Sequence, residues 1–411
     1  MYNIFIYLYS VLVRFVGLFN HKAALLWCGQ REAIEKLEQF VTQKVKGNEK
    51  SKIVWVHAAS LGEFEQGRPL IERIRNQSPD AKIILTFFSP SGYEVRKNYQ
   101  GADLVLYLPF DTKRNARRFL DILSPDVVYF VKYEFWVNYL TELRSRGVET
   151  YIISAIFRPN QIFFKWYGGK FRKALKAFKT LFVQNEESEK LLNSIGFENV
   201  VVAGDTRFDR VADIASAAKQ LPIAEAFAKG HKVLVVGSSW SPDEEILADY
   251  INRNVGKIKI IIATHDVNET RIKELTALLK CSYALYTQTD KEQVKTADCL
   301  IINTIGLLSS IYQYGQVAYI GGGFGVAVHN TLEAAVWGMP VVFGPKYHKF
   351  QEACELIECG AACSINSAEE CYTALDEFFR NNSEPATKAY NYVASRTGAT
   401  SLIINTVTNN K

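Results

Sequence analysis

From residue 53 onward, short runs of apolar residues alternate with longer segments whose apolar positions recur every three or four residues. The first series of runs lies at 53–59, 82–88, 103–108, 127–133, 150–156, 180–184 and 199–203. A second follows at 232–237, 258–263, 283–286, 299–303, 316–320 and 340–343. Between them lie helix-length segments such as "EFEQGRPLIERIRNQ", with apolar residues at helical spacing. Near-continuous apolar strands separated by amphipathic helices predict parallel sheets covered on both faces, an α/β architecture of two doubly wound domains. The stretch 206–230, "TRFDRVADIASAAKQLPIAEAFAKG", has no strand pattern and is polar and alanine-rich, so it reads as the join. The expected organisation is an apolar segment at 1–22, a first domain at 31–207, a linker at 208–230 and a second domain at 231–380. Residues 381–411 are expected to return to the first domain. In such sheets ligands sit beyond the carboxyl ends of the strands, so the loops 57–63, 237–241, 264–268 and 321–330 are expected to face one cleft.

Length agrees with two domains, because 411 residues exceed the size, about 250–300, at which one hydrophobic core stops growing. A net charge of +5 is too mild to argue for nucleic acid, so only local clustering of basic residues carries meaning. Seven cysteines in neither disulfide-framework nor zinc spacing favour a reducing compartment. Two regions depart from the average. The amino terminus, "MYNIFIYLYSVLVRFVGLFN", carries Arg14 as its one charge and lacks the basic start and small-residue cut site of a signal peptide. It reads as a membrane anchor, spanning or half-inserted, of marginal length against the roughly 20 apolar residues a span needs. Residues 150–185 contain Arg158, Lys165, Lys170, Arg172, Lys173, Lys176 and Lys179 and no acid. Within them "GGKFRKALKAFKTLF" sets Phe171, Leu175, Phe178 and Phe182 on one helical face, which suits an anionic membrane surface or phosphorylated lipid.

Candidate chemistry gathers at strand ends. "HAASLGEFEQ" places Ser60 three residues before Glu63, the spacing of a capping box, which explains both residues structurally. A carboxylate at that turn is also placed to move a proton. "YIGGGFGVAVHNTLEAAVWGMPVVFGP" runs from a strand through Gly321, Gly322 and Gly323 to a helix expected to open at Asn330. This suits either a plain tight turn or a phosphate held by free amides, with Glu333 on ribose hydroxyls. "VVGSSWSPDEE" offers Ser238 and Ser239, "IIATHDVNE" offers His265, and "VKYEFWVNYL" sets Glu134 and Trp136 at a strand-to-helix junction. No D-x-D pair stands at a strand end, so a metal holding a diphosphate is not indicated.

Together these stretches resemble the 3-deoxy-D-manno-octulosonic acid (Kdo) transferases of lipopolysaccharide synthesis, through "WVHAASLGE", "KYEFWVN", "VQNEES", "GDTRFD", "GSSWSPDEE" and "GGGFGVAVHNTLEAAVWGMPVVFGP" in order. The resemblance implies a GT-B fold of two Rossmann-like domains facing a cleft. It implies inverting transfer of Kdo from CMP-Kdo to a lipid A precursor at the cytoplasmic face of the inner membrane, without cofactor or metal. It puts Glu63 in the place of the general base and Ser238, Ser239, Asn330 and Glu333 in places that hold the CMP moiety, with Gly321 and Gly322 before them. His265 is expected on the donor side. Glu134, Lys165, Lys170, Arg172, Lys173 and Lys176 are expected on the acceptor and membrane side. Two departures stand out: Trp240 replaces a common histidine, and Ala263-Thr264-His265 replaces proline-arginine-histidine, so Lys346 or backbone amides would have to supply the missing positive charge. Competing readings are another GT-B enzyme, such as a nucleotide-sugar epimerase or diphosphate-donor transferase, and a non-catalytic nucleotide-sugar binder at the membrane. The first is expected to lack the apolar amino terminus and the basic helix, and the second could dispense with Glu63.

Overall fold

The computed structural model describes residues 2–45 and 51–409 and divides into two compact units. One comprises the residues up to Asp209 together with those from Gly398 on, and the other is Arg210–Thr397. Strands form where β-branched and aromatic side chains succeed one another, because such chains pack well on a pleated surface. In the first unit they are β1 (Ile53–Ala58), β2 (Lys82–Phe87), β3 (Leu104–Tyr107), β4 (Val127–Val131), β5 (Glu149–Ala155), β6 (Thr180–Val183) and β7 (Val200–Val202). All pair in parallel, in the order β3-β2-β1-β4-β5-β6-β7. The second unit contains β8 (Val233–Ser239), β9 (Lys259–Thr264), β10 (Tyr283–Leu285), β11 (Cys299–Ile301), β12 (Val317–Ile320), β13 (Val341–Phe343) and β14 (Ala362–Ser364). Their order is β10-β11-β9-β8-β12-β13-β14, again parallel throughout. Every strand but β14 coincides with a run expected from the hydrophobic pattern. The three residues of β14, Ala-Cys-Ser, are too few and too small to leave a signal.

Parallel neighbours need crossovers, and these place helices on both faces of each sheet. β1 is buried along its whole length. Its side chains alternate between two cores: Ile53 and Trp55 join Phe119, Phe130 and Tyr139 on one face, while Val54 and Val56 join Leu70, Ile83 and Ile153 on the other. The second core is completed from the far end of the chain. The helix Ala399–Asn409 lays Ile403, Ile404 and Val407 against it, starting beyond Gly398, whose φ of 111° only glycine adopts without strain. The stretch 381–411 therefore divides, since the helix Ser383–Ala394 belongs to the second unit. The expected linker is mostly helical, as Arg207–Ser216 and Pro222–Ala228.

The amino-terminal segment forms the helix Tyr2–Val16, followed by His21–Phe40, whose cap Asn20 accepts a hydrogen bond from the Ala23 amide at 3.1 Å. Ile6 and Val13 pack with Leu26, Tyr107 and Phe110, and the opposite face leaves Ile4, Phe5, Leu8, Val11 and Phe15 exposed. Fifteen residues at about 1.5 Å each fall short of a hydrocarbon core about 30 Å thick. No helix among the described residues is long and apolar enough to cross a membrane. The basic helix is also shorter than its periodicity suggested. It covers Gly169–Leu175, and Phe182 lies in β6, because Thr180–Val183 pairs with β5 and β7.

Since Ile403 is fully buried in the first unit's core, truncating it leaves a cavity. Ile403→Ala is expected to lower that unit's unfolding free energy by about 2–5 kcal/mol, measured by urea titration.

Candidate active site

In the first unit the strand order reverses between β1 and β4, and crossovers leaving these two strands in opposite directions open a crevice beyond their carboxyl ends. β1 runs on through Ala59 and Ser60 into the helix Leu61–Gln77. The Ser60 amide and hydroxyl both donate to Oε2 of Glu63, at 2.8 and 2.9 Å. Glu63 therefore does fold back as a cap, but with one oxygen only. Its Oε1 accepts no hydrogen bond from the described residues.

β4 ends at Val131, and Lys132 takes a left-handed φ of 64°, uncommon for a side chain of that size. The reversal brings the buried Glu134 beside the end of β1, where its Oε2 accepts from the Trp136 indole N–H at 2.6 Å and lies 3.1 Å from Nε2 of the fully buried His57. Burial, reinforced by the negative charge of Glu134, holds the Glu63 carboxyl above its ordinary range, while Ser60 and His57 oppose the shift. Burial also raises Tyr133, which Arg158 opposes and Glu63 reinforces. Glu63, Glu134, His57, Tyr133 and Arg158 thus form one electrostatic cluster. Farther along the chain, Lys170, Lys173 and Lys176 are exposed and Lys165 is half-buried. Arg172 is turned inward, donating to the carbonyls of Phe163 and Lys165 at 2.8 Å, so it holds its own loop together. Trp166 is 90% exposed, and Lys170 lies over the ring of Tyr2 at the start of the amino-terminal helix.

In the second unit the order reverses between β8 and β12. Asp243, fully buried, organises the loops there: it accepts from the Trp240 amide at 3.0 Å, the Tyr319 hydroxyl at 2.9 Å and the Gly322 amide at 2.9 Å. Gly321 is required by close approach, since a Cβ there would lie 2.3 Å from the Ser238 carbonyl oxygen and 2.6 Å from the Ser239 Cα. Ser238 itself adopts φ 52° and is half-buried. Ser239 is buried and its hydroxyl donates to Glu244 at 2.8 Å, which ties it to the sheet end. Glu333 is held at both oxygens, by the Ser309 hydroxyl at 2.8 Å and the Asn330 amide at 3.0 Å. The helix expected from Asn330 is a single turn, Leu332–Ala335, so its dipole is small and any anion there depends on individual amides. Lys346 donates to the Gly325 carbonyl at 2.5 Å and so braces the glycine loop.

Three rings stack beside the carboxyl end of β9. Trp240 stacks on His265 at 4.4 Å, His265 stacks on His329 at 4.6 Å, and the Trp240 indole N–H donates to His329 Nε2 at 3.0 Å. Burial and the neighbouring His265 push the His329 imidazole below its usual range, so it is neutral at pH 7 with its proton on Nδ1. Sequence reasoning missed His57, Thr86 and His329 as parts of these constellations. His57 and His329 stand inside the motifs "WVHAASLGE" and "VHNTLE", which was the available signal; Thr86 offered none.

Residues 34–210 match the family model described as 3-deoxy-D-manno-octulosonic-acid transferase. A 3-deoxy-D-manno-octulosonic acid transferase of Bordetella pertussis is 27% identical over 371 residues, covering 84% of this chain and 85% of the relative. One from Aquifex aeolicus is 25% identical over 350 residues, covering 84% of this chain and 90% of the relative. The fold is similar to that of UDP-GlcNAc 2-epimerase from Neisseria meningitidis, with a TM-score of 0.59 at 15% identity, covering 87% of this chain and all of the other. It is also similar to Acinetobacter baumannii MurG, with a TM-score of 0.52 at 14% identity over 87% of this chain and 99% of the other.

Because backbone and not a flexible side chain faces Gly321, the loops cannot yield cheaply to a methyl group. Gly321→Ala is expected to destabilise the second unit by about 3 kcal/mol, the upper end of overpacking costs, measured by thermal unfolding.

Proposed function

We propose, from the match of residues 34–210 to the Kdo transferase family model and the likeness to such transferases over most of the chain, that this protein transfers Kdo from CMP-Kdo to a lipid A precursor with inversion, Glu63 serving as general base. The observation that carries the reading is the state of the Glu63 carboxylate: Oε2 is anchored by Ser60, Oε1 is left for a ligand, and burial raises its proton affinity. A base works best when its pKa approaches the working pH, since a low-pKa carboxylate has little affinity for the hydroxyl proton it must take. As the acceptor hydroxyl attacks the anomeric carbon, its proton passes to Oε1 and CMP departs.

The donor falls to the second unit. Glu333, its oxygens held by Ser309 and Asn330, is positioned to accept from ribose hydroxyls. Ser238, Gly321, Gly322, His265 and Asn330 line the turn that meets the phosphate, with Ser239 beneath them. The neutral His329 adds a donor where a cation is absent. Departing CMP turns a phosphodiester into a monoester, a modest gain of negative charge that aligned N–H groups can stabilise without a metal. On the acceptor side, Glu134 and the basic residues Lys165, Lys170, Lys173 and Lys176 suit a phosphorylated sugar headgroup, with Arg172 serving the loop.

The membrane reading follows from the exposed apolar face of Tyr2–Val16 beside Trp166, Tyr167 and the lysines. Such a face lies in the interfacial plane, each nearby lysine adding about 1 kcal/mol on an anionic leaflet. The proposed location is the cytoplasmic face of the inner membrane, which supplies the lipid acceptor.

Glu63→Gln is expected to keep the fold and CMP-Kdo binding while cutting transfer by about 10²–10⁴-fold, read by mass spectrometry of the lipid product. The unprotonated carboxylate is the active form, so the rate falls as pH drops through the raised pKa, with an acid limb above the ordinary glutamate range. Leu8→Asp combined with Phe5→Asp is expected to abolish sedimentation with phosphatidylglycerol vesicles without altering the far-ultraviolet circular dichroism; undiminished sedimentation would remove the apolar face from the membrane reading.

A further inference from the structure

The amino-terminal helix Tyr2–Val16 exposes one apolar face, and its other side is bound to the loop that carries Glu134 and Trp136. The helix Val137–Ser145 begins directly after that loop with Trp136 at its cap position, and an indole offers no oxygen to the free amides of a first turn. Asp111, fully buried, caps it from a neighbouring loop: Oδ2 accepts from the Asn138 amide and Oδ1 from the Tyr139 amide, both at 2.9 Å. Oδ2 has a further lone pair, and the Tyr2 hydroxyl donates to it at 2.5 Å. Asn3 joins the same junction, its side-chain oxygen accepting from Nδ2 of Asn138 at 2.9 Å.

Two turns along, the helix meets the loop from the other end. The Tyr9 ring stacks on Phe88 at 6.4 Å and meets Phe110 edge to face at 5.7 Å, and Phe88 packs on Trp136 at 4.7 Å. The Trp136 indole N–H in turn donates to Glu134. On its other flank Tyr2 meets Phe171 edge to face at 6.0 Å and carries Lys170 over its ring at 5.3 Å, both from the basic helix. Glu134 and Lys170, far apart in sequence, are thus located from one helix. Attachment to a surface requires no polar bonds to the protein, since apolar contacts such as those of Ile6 and Val13 would hold the helix in place. Hydrogen bonds add direction, and so fix the rotation and register of the helix against the loop.

We propose that the amino-terminal helix is part of the acceptor site as well as its attachment to a lipid surface: Tyr2 and Tyr9 are positioning residues that hold the Glu134–Trp136 loop and Lys170 in place. This rests on the reading of Glu134 and Lys170 as acceptor-side groups. Each tyrosine acts through neighbours, Tyr2 through Asp111 and Asn138, and Tyr9 through Phe88 and Trp136.

Lipid A precursor dispersed in detergent, with CMP-Kdo as donor, separates placement of the site from attachment to a membrane. Tyr2→Phe removes only a hydroxyl, Tyr9→Ala removes the stacking ring, and Tyr9→Phe keeps it. Tyr2→Phe and Tyr9→Ala are each expected to lower kcat about tenfold in detergent, in keeping with the cost of a misplaced group, with KM for CMP-Kdo unchanged and sedimentation with phosphatidylglycerol vesicles retained. Tyr9→Phe is expected to restore what Tyr9→Ala loses. Full rate in detergent with loss confined to vesicle-borne acceptor would leave the helix as an anchor only and overturn the proposal. So would a Tyr9→Phe enzyme as slow as Tyr9→Ala. Glu134→Gln tells the proposal from its premise: transfer at full rate by this variant overturns the acceptor-side reading, whereas an impaired Glu134→Gln beside tyrosine variants of full rate overturns the proposal and leaves that reading standing. Indole N–H NMR supplies a readout independent of turnover. Both Tyr2→Phe and Tyr9→Ala are expected to move the Trp136 resonance while that of Trp55, enclosed in the core, stays in place; an unmoved Trp136 resonance overturns the assignment.

Discussion

A parallel sheet that winds outward from one pair of strands leaves a gap at that pair, because the crossovers depart in opposite directions. The constraint operates twice in this chain, between β1 and β4 and between β8 and β12. Glu63, Glu134, Ser238, Asn330 and Glu333 all sit at the carboxyl ends of those four strands or on the segments that leave them. The sheets can be parallel only because helices cover both faces, and this in turn buries β1 completely. Burial then decides the character of the site: a histidine at the end of such a strand has no water, so its partners must come from the protein.

The two gaps are furnished differently. In the first unit the loops carry acids, Glu63 and Glu134, and burial, reinforced by the charge of Glu134, raises the proton affinity of Glu63. In the second, a single buried carboxylate, Asp243, spends its accepting capacity on a backbone amide before the helix, a strand hydroxyl and a glycine amide. That use of charge is structural: it holds the glycine loop while leaving amides, serine and rings at the surface of the turn. One crevice is thus lined by acids and the other by backbone amides, serine and rings, which is the difference that the proposed division between base and donor site builds on.

Motifs that read as one thing in sequence often serve two purposes here. The capping box of Ser60 and Glu63 is real, and it uses one carboxylate oxygen, which orients the other. Several residues expected to meet ligand turn inward. Arg172 braces carbonyls, Lys346 clamps the glycine loop, and the Ser239 hydroxyl is given to Glu244. Charge and spacing alone cannot separate an outward from an inward side chain, because both patterns put the same residue at the same turn.

Strand runs were legible because hydrophobic periodicity is local: each strand buried on both faces needs its own apolar residues, and thirty or so neighbours suffice to show it. The number of domains and the reversal loops follow from that alternation, while the resemblance to Kdo transferases is carried by ordered motifs such as "WVHAASLGE" and "VHNTLE". Short or marginal elements were not legible. β14 has no pattern, the basic helix stops at Leu175 because β6 claims the residues after it, and the helix at Asn330 is cut to one turn. Nor could the chain alone show that Thr86 lies against His57, since the two are brought together by the register of β1 on β2. Local residue type determines which strands form; which buried polar groups meet is decided by strand order and register, and those are properties of the folded sheet.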